Sequence, residues 1–108
     1  MATTNFKQVK QYLDDIIAQW AKKNGRQPDL PGVHGDPNMG WATKDQLINS
    51  APFGMQLIVP GTPGKQTNLY VALTEGVPGF PQMPDGGPYM SADQTNYIAK
   101  WIDEGMPD

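Results

Sequence analysis

The chain has 108 residues, a formal net charge of -3, no cysteine and a single histidine. That length sets one domain with one modest core, and the missing cysteine excludes disulfides, thiolate metal sites and a thiol nucleophile. The acidic balance offers no clustered Lys and Arg for nucleic acid, and no apolar run approaches the roughly 20 residues of a membrane span. With 12 Gly and 11 Pro beside 38% apolar residues, the composition reads as a folded, loop-rich domain covering residues 1–108. In chain order, Phe6, Val9, Leu13, Ile16, Ile17, Trp20 and Ala21 recur at helical spacing, with Asn5 as cap and Asn24-Gly25 as stop. This predicts a helix over Phe6–Asn24. It follows Met1–Asn5 at once, so no secretory leader is expected within these residues.

Arg26 to Gly40 carries Pro28, Pro31-Gly32, Gly35 and Pro37 and reads as loop. Thr43-Lys-Asp-Gln46 has the spacing of a capping box and predicts a short helix through Leu47 and Ile48 that ends before Pro52. Leu57-Ile58-Val59 lies in an irregular or briefly extended stretch. Leu69, Tyr70, Ala72 and Leu73 predict a third helix stopped by Gly76, and Val77 to Pro88 reads as a second long loop. Ser91-Ala-Asp-Gln94 is another capping box, opening a helix with Tyr97, Ile98, Trp101 and Ile102 on one stripe and closing at Gly105. The expected fold class is all-α: about four helices with long Gly/Pro-rich loops.

Three stretches, taken in order, resemble the class I cytochrome c family. Val59-Pro-Gly-Thr-Pro-Gly-Lys-Gln-Thr-Asn-Leu69-Tyr-Val-Ala-Leu73 is similar to the segment leading into that family's middle helix. Met83-Pro84 with Gly86-Gly87 is similar to its axial-methionine loop, and Ser91 to Gly105 to its C-terminal helix. The family's Cys-x-x-Cys-His motif is absent, so covalent haem attachment is excluded. Two registers stand open for its replacement. Leu30-Pro-Gly-Val33-His34-Gly35 keeps the His-Gly and puts apolar residues in place of both cysteines, whereas Ala18-Gln-Trp-Ala21-Lys22 replaces every member. The resemblance implies a cytochrome c-like fold whose terminal helices pack together, burying Val9, Leu13 and Ile16 or Ile17 against Ile98, Trp101 and Ile102. It also implies a periplasmic or secreted location if a leader is removed, and a cytoplasmic one otherwise.

The leading functional expectation is a haem-free, non-catalytic accessory domain, a small subunit beside a larger redox enzyme, without cofactor. In that reading the haem space is filled by Trp41, Phe53, Tyr70 and Phe80 with Met83, because a void of that size destabilises a small domain. The apolar loop Val77–Pro84 then packs inward, or presents Phe80 and Met83 to a partner protein. The alternative is a binder of non-covalent haem or another small ligand, with electron-transfer character. Haem iron takes a nitrogen or sulfur donor on each side, and His34 and Met83 are the residues the resemblance places there. No enzyme is expected. Asp36 beside His34 suits an orienting carboxylate, but no nucleophile accompanies it. The adjacent pairs Asp14-Asp15 and Asp103-Glu104 do not share a helix face, Ser50 and Ser91 fit helix ends, and one histidine with scattered carboxylates does not suit zinc. Gly61-Thr-Pro-Gly64-Lys65 is too short for a phosphate loop.

Overall fold

A computed structural model describes residues 2–77 and 79–108, the side chain of Val33 excepted. Five α-helices follow in order: α1 (Phe6–Asn24), α2 (Leu30–His34), α3 (Lys44–Asn49), α4 (Asn68–Thr74) and α5 (Ala92–Asp103), with 3-10 turns at Pro52–Gly54 and Gly64–Gln66. There is no strand among the described residues, so the all-α expectation holds. No described helix is long and apolar enough to cross a membrane.

The ends of α1 are set by its sequence. Asn5 accepts from the Gln8 N–H at 2.8 Å, and the Gly25 N–H donates to the Ala21 carbonyl at 2.8 Å with Gly25 in the left-handed region. Lys22 and Lys23 in the last turn sit against the negative end of the helix dipole. At the other end of the chain, α5 has a complete capping box. The Gln94 N–H donates to Ser91 Oγ, and the Ser91 N–H donates to Gln94 Oε1. The box expected at α3 is half formed: Thr43 Oγ1 accepts from the Gln46 N–H, but Gln46 Oε1 takes the Ala42 N–H rather than that of Thr43.

The one element read as loop that folds as helix is α2. Pro31 and Gly32 mark it as a break, yet proline is tolerated in a helix's first turn, where its missing N–H has no partner to lose. Asp29 Oδ1 accepts from the Gly32 N–H at 3.1 Å, and Gly35, at φ 64°, closes the helix after one turn.

The core is built where α1 meets α5. Val9, Leu13 and Ile16 pack in one buried cluster with Ile98, Trp101 and Ile102, as the two stripes require. Leu47, Leu57, Ile58, Leu69, Leu73 and Met90 complete it. Trp101 is fully buried and its indole N–H donates to the Pro107 carbonyl at 2.8 Å, while the Phe6 N–H shares that carbonyl at 3.0 Å. The Gly64–Gln66 turn lies directly on α5. A Cβ at Gly64 would stand 2.1 Å from the Ala99 carbonyl oxygen, and the Gly64 N–H donates to Asp103 Oδ1 at 2.7 Å. Within the Gly61–Lys65 stretch, Gly64 is therefore a close helix contact, whereas a Cβ at Gly61 would meet open space.

Candidate functional site

Beside this core, bordered by α1 and α4, lies a cavity of about 370 Å³ with a strongly apolar lining. The helix supplies Leu13, Ile16, Ile17 and Trp20, and α4 supplies Leu69, Ala72 and Leu73. Loops and turns add Met39, Trp41, Phe53, Met55, Val77, Phe80, Met83 and Pro84 among others, α2 adds Leu30 and His34, and Arg26, Asp29 and Asp85 supply charge. Both sequence-derived candidates, His34 and Met83, thus line the same space.

His34 is oriented by its own helix. Its Nδ1 lies 2.8 Å from the Leu30 carbonyl oxygen, a contact only an N–H can satisfy, so in the neutral imidazole Nε2 carries the lone pair. The Asp36 carboxylate, expected to orient the imidazole, is committed elsewhere. It accepts from the Ala51 N–H at 2.8 Å and the Asn38 N–H at 2.9 Å, in that order the causes that lower its pKa below the usual carboxylate value. Its role is to tie the exit of α2 to the turn that carries Phe53. The His34 ring meets Phe53 edge-on, with centroids 6.0 Å apart.

Met83 is placed by backbone. Its N–H donates to the Ala72 carbonyl at 2.7 Å, and Gln82 Nε2 donates to the Leu73 carbonyl at 3.1 Å, laying the loop along α4. Gly76 makes this possible: at φ 86°, its missing Cβ would meet the Phe80 carbonyl oxygen at 2.7 Å and the Gln82 nitrogen at 2.8 Å. The loop therefore packs inward, with Val77, Phe80 and Met83 on the cavity wall and Pro78 outside the described residues.

The expectation that aromatic side chains fill this space is corrected. Trp41, Phe53, Phe80 and Met83 form walls around an open volume, and Tyr70 is not among the lining residues. The reason lies in where each ring is held. The Trp41 indole N–H donates to Asp14 Oδ1 at 2.8 Å, which draws the ring against α1. Phe53 and Phe80 stack on each other at 4.5 Å, and Phe53 remains 49% exposed. The residue that carries this ring has φ 54°, in the left-handed region that a bulky side chain rarely adopts.

Sequence reasoning missed Trp20 and Arg26. The Trp20 indole N–H donates to the Asp85 carbonyl at 2.9 Å, fastening α1 to the Met83 loop, and the Arg26 guanidinium lies 5.0 Å from the centre of the Trp20 ring. The signal was present in part, since Trp20 continues the α1 stripe one turn beyond the residues needed to cover α5. Among the described residues, no group of three or more His, Asp or Glu side chains comes together.

Comparison with protein-family models, with curated proteins and with solved structures finds no match.

Proposed function

We propose that this chain is a cytochrome c-like domain that binds an apolar ligand of the haem class without covalent attachment. The observation that carries this reading is the open cavity with His34 and Met83 both on its wall. An enclosed void of that volume, at about 24 cal/mol per Å³, would cost on the order of 9 kcal/mol, comparable with the whole stability of a small domain. Water entering at the rim lowers that cost, and an apolar occupant lowers it further. A cavity of several hundred Å³ lined by apolar groups with a few polar ones is the usual form of a small-molecule site.

The donor types present are those a haem iron takes. A neutral imidazole with Nδ1 engaged has Nε2 available, and a thioether sulfur comes from a loop fixed to α4. Bound there, haem would supply one-electron chemistry. The chain's own part is to orient His34 through Leu30, to position Met83 through Ala72, and to keep water from the apolar walls. Leu30 and His34 line the cavity and Lys22 does not, which favours the Leu30–His34 register over the one within α1.

A second reading, the haem-free accessory subunit, draws on the Phe53–Phe80 stack. Phe53 is half exposed, and a rigid aromatic pair suits a protein interface. It leaves the cavity without an occupant, and for that reason ranks below the ligand reading. The visible spectrum of protein purified from haem-replete cells separates them. A Soret band that survives gel filtration is expected, and its absence supports the accessory subunit.

A further inference from the structure

The cavity's apolar wall ends at Arg26, close in sequence to two further cations. Lys22, Lys23 and Arg26, three of the eight basic residues in a chain of net charge -3, stand within five positions at the C-terminal end of α1. Arg26 lines the cavity and also a second, shallow recess shared with Lys22, so it stands between the apolar interior and solvent. Its guanidinium is held over the Trp20 ring, yet among the described residues it forms no ion pair. Lys23 Nζ reaches the Gly86 carbonyl, directly beside the cavity loop. The acidic groups at the same rim are Asp29 and Asp85. Asp29 is turned back on α2, where it caps the Gly32 N–H, so it opposes an incoming anion less than its position suggests. On the cavity wall itself, among the described residues, Arg26 is the one cation beside Asp29 and Asp85, with Lys22 in the neighbouring recess and Lys23 engaged at the Gly86 carbonyl.

From this arrangement we infer that the cavity's occupant is an amphipathic carboxylate, whose apolar body lies between α1 and α4 and whose charged end is received by Arg26. The inference rests on the ligand-binding reading above and adds the chemical class of the ligand's polar end. An aromatic face under a guanidinium holds its plane and leaves its N–H groups free for a carboxylate. A guanidinium with no acidic partner at the mouth of an apolar cavity has that use open to it.

Two sources of this chemistry exist, a porphyrin dicarboxylate and a long-chain fatty acid, and one experiment distinguishes them. Metal-free protoporphyrin IX and its dimethyl ester, and palmitate and its methyl ester, are titrated separately. Quenching of tryptophan fluorescence is read, since Trp20 and Trp41 line the cavity. Metal-free probes remove any contribution from axial ligation, so His34 and Met83 do not enter. The acid of one pair is expected to bind about tenfold more tightly than its ester, the value of one charge-assisted hydrogen bond. Arg26→Gln, which keeps a planar side chain over Trp20, should abolish that preference while leaving the ester within twofold. Arg26→Lys should retain part of it. Thermal melts of each variant report whether the fold is intact.

Equal binding of acid and ester by the unsubstituted chain would overturn the inference, as would an Arg26→Gln that weakens both alike. A preference seen only with palmitate upholds the carboxylate inference and removes haem as occupant. A haemin Soret change that depends on His34, with acid and ester porphyrin bound equally, upholds the haem reading and removes Arg26. Failure of all four probes to bind overturns both.

Discussion

The two sides of α1 solve opposite problems. Toward α5 the helix presents Val9, Leu13 and Ile16 to a packed core in which Ile98 and Trp101 are fully buried, and every buried side-chain polar atom described has a partner. Toward the loops it presents Ile17 and Trp20 to an open cavity, which Leu13 and Ile16 also border, and whose walls are held back by hydrogen bonds at their outer edges. The first side gains from apolar area removed from water. The second forgoes part of that gain, and a domain of this size tolerates the loss only if the packed side carries the fold. Stability and binding are therefore divided along one helix, with Leu13 and Ile16 shared between the core and the cavity.

The division is broken most sharply at Trp101. Trp101→Ala removes a fully buried ring and its bond to the Pro107 carbonyl, and should cost about 3–5 kcal/mol in chemical denaturation. A loss below about 1 kcal/mol would mean that the terminal clasp is not the core. Next comes Gly64→Ala, which sets a methyl group into the backbone of α5 at Ala99. A loss of about 1–3 kcal/mol is expected from forced overpacking.

Substitutions on the cavity side should behave differently. Met83→Leu conserves volume and should change stability by less than about 1.5 kcal/mol, while removing the sulfur donor and with it the haemin spectrum of the unsubstituted chain. If it instead unfolds the domain, the Met83 loop belongs to the core and the contrast between the faces fails.

The smallest effect is one of pH. Glu104 accepts from Thr4 Oγ1, and further from the Thr3 and Thr4 N–H groups and Thr3 Oγ1, and these bonds bring its pKa down from 4.5 to about 2. A lowered folded-state pKa means that the unfolded chain takes up the proton first. The stabilisation is therefore present above about pH 4.5 and lost as pH falls toward 2. Glu104→Gln should flatten the acid arm of the stability profile between those values, and an unchanged slope there would show that the Thr3–Thr4 clasp is not formed in solution.

Much of the packed face was legible in the sequence. The α1 stripe with Asn5 and Gly25 at its ends specified Phe6–Asn24, and the Ser91–Gln94 box specified the start of α5, because periodicity and caps are local properties of the chain. The family resemblance names His34 and Met83 for opposite walls of one space, and both residues line the cavity. What could not be read was α2, a single turn fastened by the Asp29 cap and followed by the bond that the Ala51 N–H donates to Asp36. The open volume was equally hidden. A count of aromatic residues says how much ring is available to fill a space, but not that Trp41 is drawn to Asp14 and Trp20 to the Asp85 carbonyl. Those bonds span 27 and 65 positions and follow from the fold alone.

Whether the cavity is a ligand site is tested most directly by titrating haemin into the purified chain and into His34→Ala and Met83→Ala. The account predicts saturable, sharp Soret changes for the unsubstituted chain, lost or displaced in both variants while their far-UV circular dichroism is unchanged. Featureless, non-saturating changes that are the same in all three proteins would contradict it.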